Sequence, residues 1–389
     1  MPDTSLDDTL KRTEELTTRL TGLVDAVDDG RADCRDSYRL AREAGLLGLV
    51  VPSAIGGDGL GFHDYTRVLE LLATADAPTA LGLNMHSVAI GALCESAGTP
   101  ASRAGAAFRE WVFDEVVNHQ RMFASATSER GSGAKLRGLR TTYRATDHGF
   151  VLEGHKSFVS LAGVADYFVV AARQADGDAD HQISHFVVSG ADPGVRFGEI
   201  WPGTAMHGTS TADMTLDAVE VGRDRLFMGI EGMSLFKLVR EPHWMVAGYT
   251  GVYLGLARSL FDQIVAAAAG RADDTDLRRR VGRAAASLRA ARALVYEACA
   301  VVDEARGTVE ANAGVHAAKY VVGELLSDLA TTASRVCGAA GLRRGGTVER
   351  LLRESWFCAV MPAKPVDCLD YLGKTHLGVN MHDARSADW

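Results

Sequence analysis

The sequence predicts an α+β multidomain protein with an N-terminal helical domain, a middle β-barrel or sandwich domain and a C-terminal four-helix bundle. Three observations predict it: helical spacing of apolar residues over 1–120, short alternating runs over 121–228, and long alanine-rich helical periodicity over 229–389. With 389 residues, of which 47% are hydrophobic, the chain is long enough for a large core and more than one domain.

Four helical segments predict the N-terminal domain. Apolar positions repeat at helical spacing over residues 5–28, and further helices are expected at about 36–44, 62–75 and 80–97. The last of these is almost entirely apolar and contains His86, for which a hydrogen-bonded position in the core is expected.

The patterns of the middle and C-terminal domains differ in period. In the middle domain, short alternating runs bounded by turn residues predict strands at 143–148, 150–152, 167–172, 183–188, 195–197 and 213–216. In the C-terminal domain, amphipathic periodicity predicts helices at 245–269, 277–306, 313–338 and 348–361. Short connections between these four helices favour a bundle.

Composition argues against several classes of function. A net charge of −9 argues against a nucleic-acid partner. We expect no apolar run long enough to span a bilayer, hence no membrane partner, and the acidic, polar N-terminus is not typical of a signal peptide. The six cysteines are scattered without a Cys-x-x-Cys pair, which favours a cytoplasmic location and argues against a metal site.

The most informative stretch runs from residue 125 to residue 160. It contains the glycine-rich Ser-Glu-Arg-Gly-Ser-Gly at 128–133 and closes with the alternating Gly-Phe-Val-Leu-Glu-Gly-His-Lys-Ser-Phe-Val-Ser at 149–160. Glycines in the first motif let the backbone approach a ligand closely, and free N–H groups there would suit an anion. On spacing alone, a plain β-hairpin is the simpler interpretation of this turn.

Together the two motifs resemble the middle domain of the acyl-CoA dehydrogenase family. The family pattern there is Thr-Glu-Pro-Gly-x-Gly-Ser-Asp, followed by Leu-x-Gly-x-Lys-x-Trp-Ile-Thr, and the resemblance extends over nearly the whole chain. It implies FAD bound between the β domain and the bundle. It also implies a homodimer or homotetramer in which a neighbouring protomer supplies part of the adenine-dinucleotide site.

The family motif can be transferred position by position. The resemblance implies that Ser128 meets the flavin ring edge, with the Thr127 N–H near the pyrimidine carbonyl. Phe158 replaces a tryptophan against the ring, and Ser160 replaces a threonine beside flavin N5. These hydroxyl and N–H groups would stabilise charge on the reduced flavin. The candidate cofactor residues of this domain are Thr127, Ser128, Gly133, Phe158 and Ser160.

The match in the bundle is looser. Arg-Val-Cys-Gly-Ala-Ala-Gly-Leu, which starts at Arg335, resembles the family's Gln-x-x-Gly-Gly-x-Gly, whose backbone faces the diphosphate of a neighbour's flavin. This resemblance implies cofactor roles for Arg335, Gly338 and Ala339, although a plain helix-surface role for Arg335 is an equal alternative. Arg271 stands at a diphosphate-gripping arginine of the family, but two aspartates follow it and would repel a diphosphate.

The catalytic base of the family is missing from its usual place. A carboxylate must remove the α-proton of the thioester, and most members carry it in a Tyr-Glu-Gly-Thr segment. Here Pro362 stands at the position of that glutamate, and Met245-Val246 stands at the alternative Glu-Arg position on the first bundle helix. Glu241, just before a proline typical of a helix start, is the nearest substitute. A solvated or capping Glu241 is the simpler interpretation, and His243 and Asp367 are lesser candidates.

Three functions are therefore open. The first is a FAD-dependent oxidoreductase that oxidises an acyl thioester at Cα–Cβ with a relocated base. Its electron acceptor would be an electron-transfer flavoprotein or oxygen. The second is a flavin-dependent monooxygenase or oxidase of the same fold, which needs no α-proton base. The third is a degenerate, non-catalytic homologue, favoured by Pro362 and the altered Arg271 loop and opposed by the retained serines.

A basic cluster follows the glycine turn in an otherwise acidic chain. By resemblance this region lies near the mouth of the thioester channel, where positive charge would suit coenzyme A phosphates or an acyl carrier protein. A solvated basic hairpin is an equal alternative. The cluster consists of Arg130, Lys135, Arg137, Arg140 and Arg144.

Overall fold

The computed structural model describes residues 5–95, 102–176, 182–232 and 243–379. Within these ranges its N-terminal part contains six α-helices, and the predicted helix at 5–28 is split in two at Gly22. Side chains of Ser5 and Asp33 cap the first and third helices by accepting backbone N–H groups. The helices are α1 (Leu6–Leu20), α2 (Leu23–Asp28), α3 (Cys34–Glu43), α4 (Phe62–Ala73), α5 (Ala77–Glu95) and α6 (Arg103–Val117).

Helix α6 is absent from the sequence prediction. Its signals are nevertheless present: Ser102 caps the helix by accepting the Gly105 N–H, and apolar side chains recur at Phe108, Val112 and Val116. The prediction for His86 is confirmed, because the imidazole is buried between the Leu47 carbonyl and the Phe123 N–H.

The middle part is a seven-stranded sheet in the order β1-β4-β2-β3-β7-β6, with β5 paired to β4. Strand β1 runs parallel to β4, as does β2, and the remaining pairs are antiparallel. Five of the six predicted strand segments lie within strands, the segment 143–148 runs past the end of β2 at Ala145, and β1 was not predicted. The strands are β1 (Phe123–Ala126), β2 (Thr142–Ala145), β3 (Gly149–Val159), β4 (Tyr167–Gln174), β5 (Ile183–Ser189), β6 (Val195–Ile200) and β7 (Ala212–Gly222).

The C-terminal part contains the four predicted helices and a fifth one that the sequence prediction lacked. This fifth helix, α11, begins with Pro365 in its first turn, where a missing N–H costs nothing. The helices are α7 (His243–Ala268), α8 (Thr275–Ala305), α9 (Val309–Gly341), α10 (Thr347–Ser355) and α11 (Pro365–His376). Buried residues from all three parts, among them Leu69, Phe123 and Leu254, form one continuous core.

Helix α7 is the central helix of the bundle and corrects one expectation. By length and composition alone, Gly248–Arg271 is apolar enough to cross a membrane, so the expectation that no such run exists was wrong. Half of this segment is buried inside the protein. Glycines allow its close packing on α4, since a Cβ at Gly255 would lie 2.3 Å from the Glu70 carbonyl oxygen.

Candidate functional site

The ends of β1 and β3 meet at one edge of the sheet. The Ser157 N–H donates to the Ser128 carbonyl at 2.8 Å, which joins the segment after β1 to the end of β3. Thr127, Ser128 and Ser160 are partly exposed there. The two motifs that the sequence prediction linked only by resemblance are therefore neighbours in space.

A buried ion pair holds this edge together. The Lys156 ammonium lies 2.8 Å from the Glu129 carboxylate and 3.3 Å from the Thr127 carbonyl oxygen. Glu129 also accepts the N–H groups of Arg140 and Thr141. Burial lowers the pKa of Lys156 to about 8, although Glu129 opposes this shift. Sequence reasoning missed the pair, but its signal was an acid in one motif and a base in the other.

The glycine turn closes on itself and uses the Gly133 N–H inside the turn. Glu129 and Gly133 exchange two backbone hydrogen bonds, of 3.0 Å and 2.9 Å. The expectation of a free N–H at Gly133 was therefore wrong, because a tight bridge uses it. Gly131 and Gly133 have φ of 96° and 60°, and no atom lies within 4 Å of a Cβ built on either. The outer side of the turn is thus open for a ligand to approach.

Phe158 is an exposed aromatic residue on strained backbone. Its relative exposure is 60%, and its φ of 54° lies in a left-handed region that bulky residues rarely adopt. An irregularity in the β3–β7 register between Lys156 and Val159 accompanies this conformation. The ring lies 5.6 Å from Trp201, edge to face, and Trp201 lies 6.1 Å from Phe357.

These rings leave an apolar surface open to solvent beside the polar edge at Ser128 and Ser160. Exposed apolar surface of this kind typically marks a binding site. The Ser160 hydroxyl is 2.9 Å from that of Thr211, which is 2.9 Å from that of Thr209. A chain of hydroxyls can donate to or accept from a heteroatom at its end. The exposed apolar rings and this chain of hydroxyls suit the face and the polar edge of a flavin ring.

Arg271 and the predicted diphosphate segment also lie together. The Arg271 guanidinium donates to the carbonyl of Val336 at 2.9 Å, near the end of α9. At Gly338 the helix is interrupted by a non-helical conformation with φ of 61° and ψ of −158°. Arg335 and Ala339 are exposed on this segment. The contact holds the segment to α7 and leaves the outer side of the Gly338 kink accessible.

The segment around Pro362 is held by a buried lysine. Lys319 of α9 donates to the carbonyl oxygens of Cys358 at 2.7 Å, Ala363 at 3.2 Å and Met361 at 3.4 Å. Three carbonyl contacts to one ammonium fix the backbone on both sides of Pro362. Sequence reasoning did not identify Lys319.

The substitute bases occupy different surroundings. Glu241 lies outside the described residues. Asp367 is exposed and accepts the Lys364 N–H at the start of α11. His243 is buried with its Nε2 2.6 Å from the Glu95 carboxylate. Within the described part of the chain, neither Asp367 nor His243 is hydrogen-bonded to Pro362.

Glu95, the partner of His243, lines a separate cleft of about 320 Å³. The cleft lies between the N-terminal helices and α7, and Phe62, Glu95, Trp244 and Arg306 line it. None of the described lining residues is a predicted cofactor residue, so the cleft is distinct from the edge at Ser128 and Ser160.

The basic cluster is partly neutralised. Arg130 pairs with Asp213 at 2.6 Å, and Arg144 lies 3.7 Å from Glu153. Lys135 and Arg140 are exposed. In the described part of the chain, no group of three or more histidine, cysteine or acidic side chains could hold a metal ion.

Comparison with known protein families agrees with this architecture. The acyl-CoA dehydrogenase N-terminal, middle and C-terminal domains match residues 14–105, 124–219 and 245–360, respectively. These regions correspond to the first helices, the sheet and the bundle. The protein is thus an acyl-CoA dehydrogenase-like oxidoreductase, a class in which a flavin cofactor is typical.

More specifically, the chain belongs to the acyl-CoA dehydrogenase family. The putative acyl-CoA dehydrogenase YdbM of Bacillus subtilis is 27% identical over 341 residues, covering 84% of this chain and 85% of YdbM. The amino sugar nitrososynthase DnmZ of Streptomyces peucetius is 30% identical over 246 residues, covering 62% of this chain and 56% of DnmZ.

The fold also matches solved structures. KijD3 in complex with FMN and dTDP-3-amino-2,3,6-trideoxy-4-keto-3-methyl-D-glucose superimposes with a TM-score of 0.88 and 23% identity. The match covers 98% of this chain and 96% of KijD3. The predicted fold of N-terminal helices, middle β domain and C-terminal helices is confirmed.

Proposed function

We propose that the protein is a flavin-dependent monooxygenase built on the acyl-CoA dehydrogenase fold. The feature that carries this proposal is Pro362, which by resemblance stands at the place of the family's base, on a backbone fixed by Lys319. A proline side chain cannot take a proton, whereas oxygen chemistry needs no α-proton base. This reverses the order of the two functions that the sequence favoured, and thioester oxidation becomes the second candidate.

The residues at the sheet edge would bind and orient the flavin. Ser160 and Ser128 would hydrogen-bond to the ring edge, and Phe158 and Trp201 would cover one face and exclude water. When bound, the flavin would supply the two-electron and oxygen chemistry. Lys156 and Glu129 would act indirectly, since they hold Thr127 and its neighbours in place.

For the substrate we propose an amine-bearing sugar joined to a nucleoside diphosphate. DnmZ is an amino sugar nitrososynthase, and KijD3 binds a dTDP-linked amino sugar. The exposed Lys135 and Arg140 could supply charge for a diphosphate. In such a reaction one atom of O₂ forms a bond to the substrate nitrogen. The other atom leaves as water, and NAD(P)H supplies two electrons through a separate flavin reductase.

The cofactor that we propose is FAD, as the resemblance implies. Arg271, Arg335 and the Gly338 kink form an accessible segment suited to a diphosphate on an adjacent protomer. FMN, which KijD3 contains, would need only the residues at the sheet edge. Release of the bound flavin by heat and chromatography against both standards identifies the cofactor.

The test supplies the protein with a flavin reductase, NADH, O₂ and a dTDP-amino sugar, and measures the product by mass spectrometry. We expect the product to gain one oxygen atom, and we expect no bleaching of the flavin by acyl thioesters without oxygen. Rapid anaerobic bleaching by an acyl-CoA, with no oxygen transfer to the sugar, would overturn the proposal.

The second candidate is the oxidation of an acyl thioester on coenzyme A or an acyl carrier protein. The place of Glu241 in the sequence favours it, since this carboxylate is four residues before Met245, the family's alternative base position by resemblance. Its electron acceptor would be an electron-transfer flavoprotein or oxygen. The cytoplasmic location and the homodimeric or homotetrameric state remain predictions under both functions.

A further inference from the structure

The loop of residues 201–211 joins β6 to β7 and carries two groups of the candidate site. Trp201 packs on Phe158, and Thr211 hydrogen-bonds to Ser160. The loop is strained, because Met206 and Ser210 have φ of 63° and 46°. Strain of this kind persists only where surrounding contacts hold the backbone in place. The contacts of this loop should therefore control the shape of the site.

His207 lies at the centre of these contacts. Its Nε2 is 2.8 Å from the Gly203 carbonyl oxygen inside the loop, and its Nδ1 is 3.0 Å from the Asp28 carbonyl oxygen at the end of α2. Nδ1 is also 3.2 Å from the Asp28 carboxylate. Carbonyl oxygens only accept, so both ring nitrogens must donate. A histidine with two donors is the charged imidazolium.

The same carboxylate connects the loop to the bundle. Arg353 of α10 donates to Asp28 at 2.5 Å and to the carbonyl of Thr204 at 2.5 Å. Tyr38 of α3 donates to the Gly208 carbonyl at 2.8 Å. Elements of the N-terminal helices and the bundle thus hold one loop of the sheet, and His207 joins the Gly203 carbonyl inside the loop to Asp28 outside it.

Charges around His207 favour its protonated form. The hydrogen bond to Asp28 raises the pKa of His207 to about 8. Burial opposes ionisation of Asp28, but hydrogen bonds from His207 and Arg353 hold its pKa well below the usual range. His207, Asp28 and Glu354 line one small crevice. Burial raises the pKa of Glu354 to about 7. The other charged groups on the packed elements are Asp25, Asp76, Glu349 and Arg350.

We propose that the His207 imidazolium is a positioning group that clamps the 201–211 loop to Asp28, so that flavin affinity falls when His207 loses its proton. The effect on affinity rests on the proposed function, since it requires the flavin to lie at Phe158 and Ser160. A group whose folded-state pKa is raised stabilises the fold below its ordinary pKa, and this contribution is lost as the pH rises. Here the loss is expected as the pH rises through about 8.

The test measures the flavin dissociation constant by fluorescence quenching between about pH 6.5 and pH 9.5. For wild type we expect the constant to rise, by at most about thirtyfold, which is the equilibrium factor for a pKa change from 6.5 to about 8. His207→Gln should bind weakly throughout. His207→Arg keeps the charge and should flatten the profile, apart from the contribution of Glu354.

His119→Gln is the matched control, because His119 also pairs with an aspartate, Asp114 at 3.3 Å, on the surface. It should behave as wild type. A wild-type profile that is flat, or that His207→Arg leaves unchanged, would overturn the proposal. The wild-type and His207→Arg profiles decide the matter even where His207→Gln does not fold.

Hydrogen exchange of the 201–211 segment in the cofactor-free protein separates the clamp from the flavin site. At one pH near 7, the clamp predicts faster exchange of this segment in His207→Gln than in wild type or His119→Gln. If wild type binds no flavin at any pH, the proposed cofactor site fails while the clamp is still judged by exchange. Equal exchange in all three proteins would contradict the clamp itself.

Discussion

The Lys156 ammonium lies 2.8 Å from the Glu129 carboxylate, and both side chains are almost completely buried beside the candidate flavin edge. The hydrogen bonds shown for the two side chains go to protein groups. The ion pair joins the segment after β1 to β3. The Lys156 ammonium also donates to the Thr127 carbonyl oxygen. The position of Thr127 in the candidate site thus depends on a buried ion pair that lies behind it.

Lys156→Met should lower the free energy of unfolding by about 3 kcal/mol, because removal of one partner leaves a buried carboxylate without its counter-ion. Flavin affinity should fall as well, since the Thr127 carbonyl loses its donor. Urea denaturation and a flavin titration measure the two effects. Arg144→Met, in the exposed pair with Glu153, is the control and should change stability by less than about 0.5 kcal/mol. Equal losses in both variants would show that burial of the pair is unimportant.

Ser160→Ala should weaken flavin binding roughly fivefold, because a hydrogen bond to the ring edge contributes about 1 kcal/mol. Wild type should purify as a yellow protein with noncovalently bound flavin. Ser157→Ala is the control three residues earlier in the chain, since the Ser157 hydroxyl is buried without a hydrogen-bond partner. Fluorescence titration compares the two. A colourless wild type without a thermal shift on addition of FAD would rule out the cofactor site, and equal affinities of both variants would exclude Ser160 from it.

Local patterns were sufficient to predict the strands after β1 and four helices of the bundle, because alternation and helical period depend on neighbouring residues alone. The resemblance likewise linked the motifs at 128–133 and 149–160, which the structure places next to each other. The Glu129–Lys156 pair, the Lys319 contacts and the His207 clamp were missed, since each joins residues far apart in the chain. Periodicity carries no information about such contacts. The error at Gly133 has the same origin, because whether an N–H is free depends on its partner in space.

Arg335→Glu should weaken the binding of FAD about tenfold and leave FMN binding unchanged, if the segment from Arg335 to the Gly338 kink serves the diphosphate of a neighbour's FAD. Only FAD extends to that segment under this hypothesis. Light scattering should give a dimer or a tetramer for wild type. Arg289→Glu, an exposed arginine on α8, is the matched control. A monomer with FAD still bound, or an equal effect on FMN, would refute a shared site.

The last prediction concerns Glu241 and Pro362. An oxygenase predicts that acyl-CoA and acyl-carrier thioesters fail to bleach the flavin under anaerobic conditions, both in wild type and in Glu241→Gln. A dehydrogenase with a relocated base predicts that wild type bleaches and that Glu241→Gln loses about 10²–10⁴-fold in rate, while flavin binding survives. Stopped-flow titration of both proteins under argon measures this.

Asp367→Asn is the control for that titration, because Asp367 is an exposed cap of α11 and should leave the rate unchanged under either function. Rapid bleaching to the same extent in wild type and Glu241→Gln would contradict both the oxygenase and the relocated glutamate. A loss confined to Asp367→Asn would then identify that carboxylate as the base. Since Lys319 fixes the backbone on both sides of Pro362, Pro362→Glu provides a positive control. A carboxylate placed there should increase bleaching by acyl thioesters.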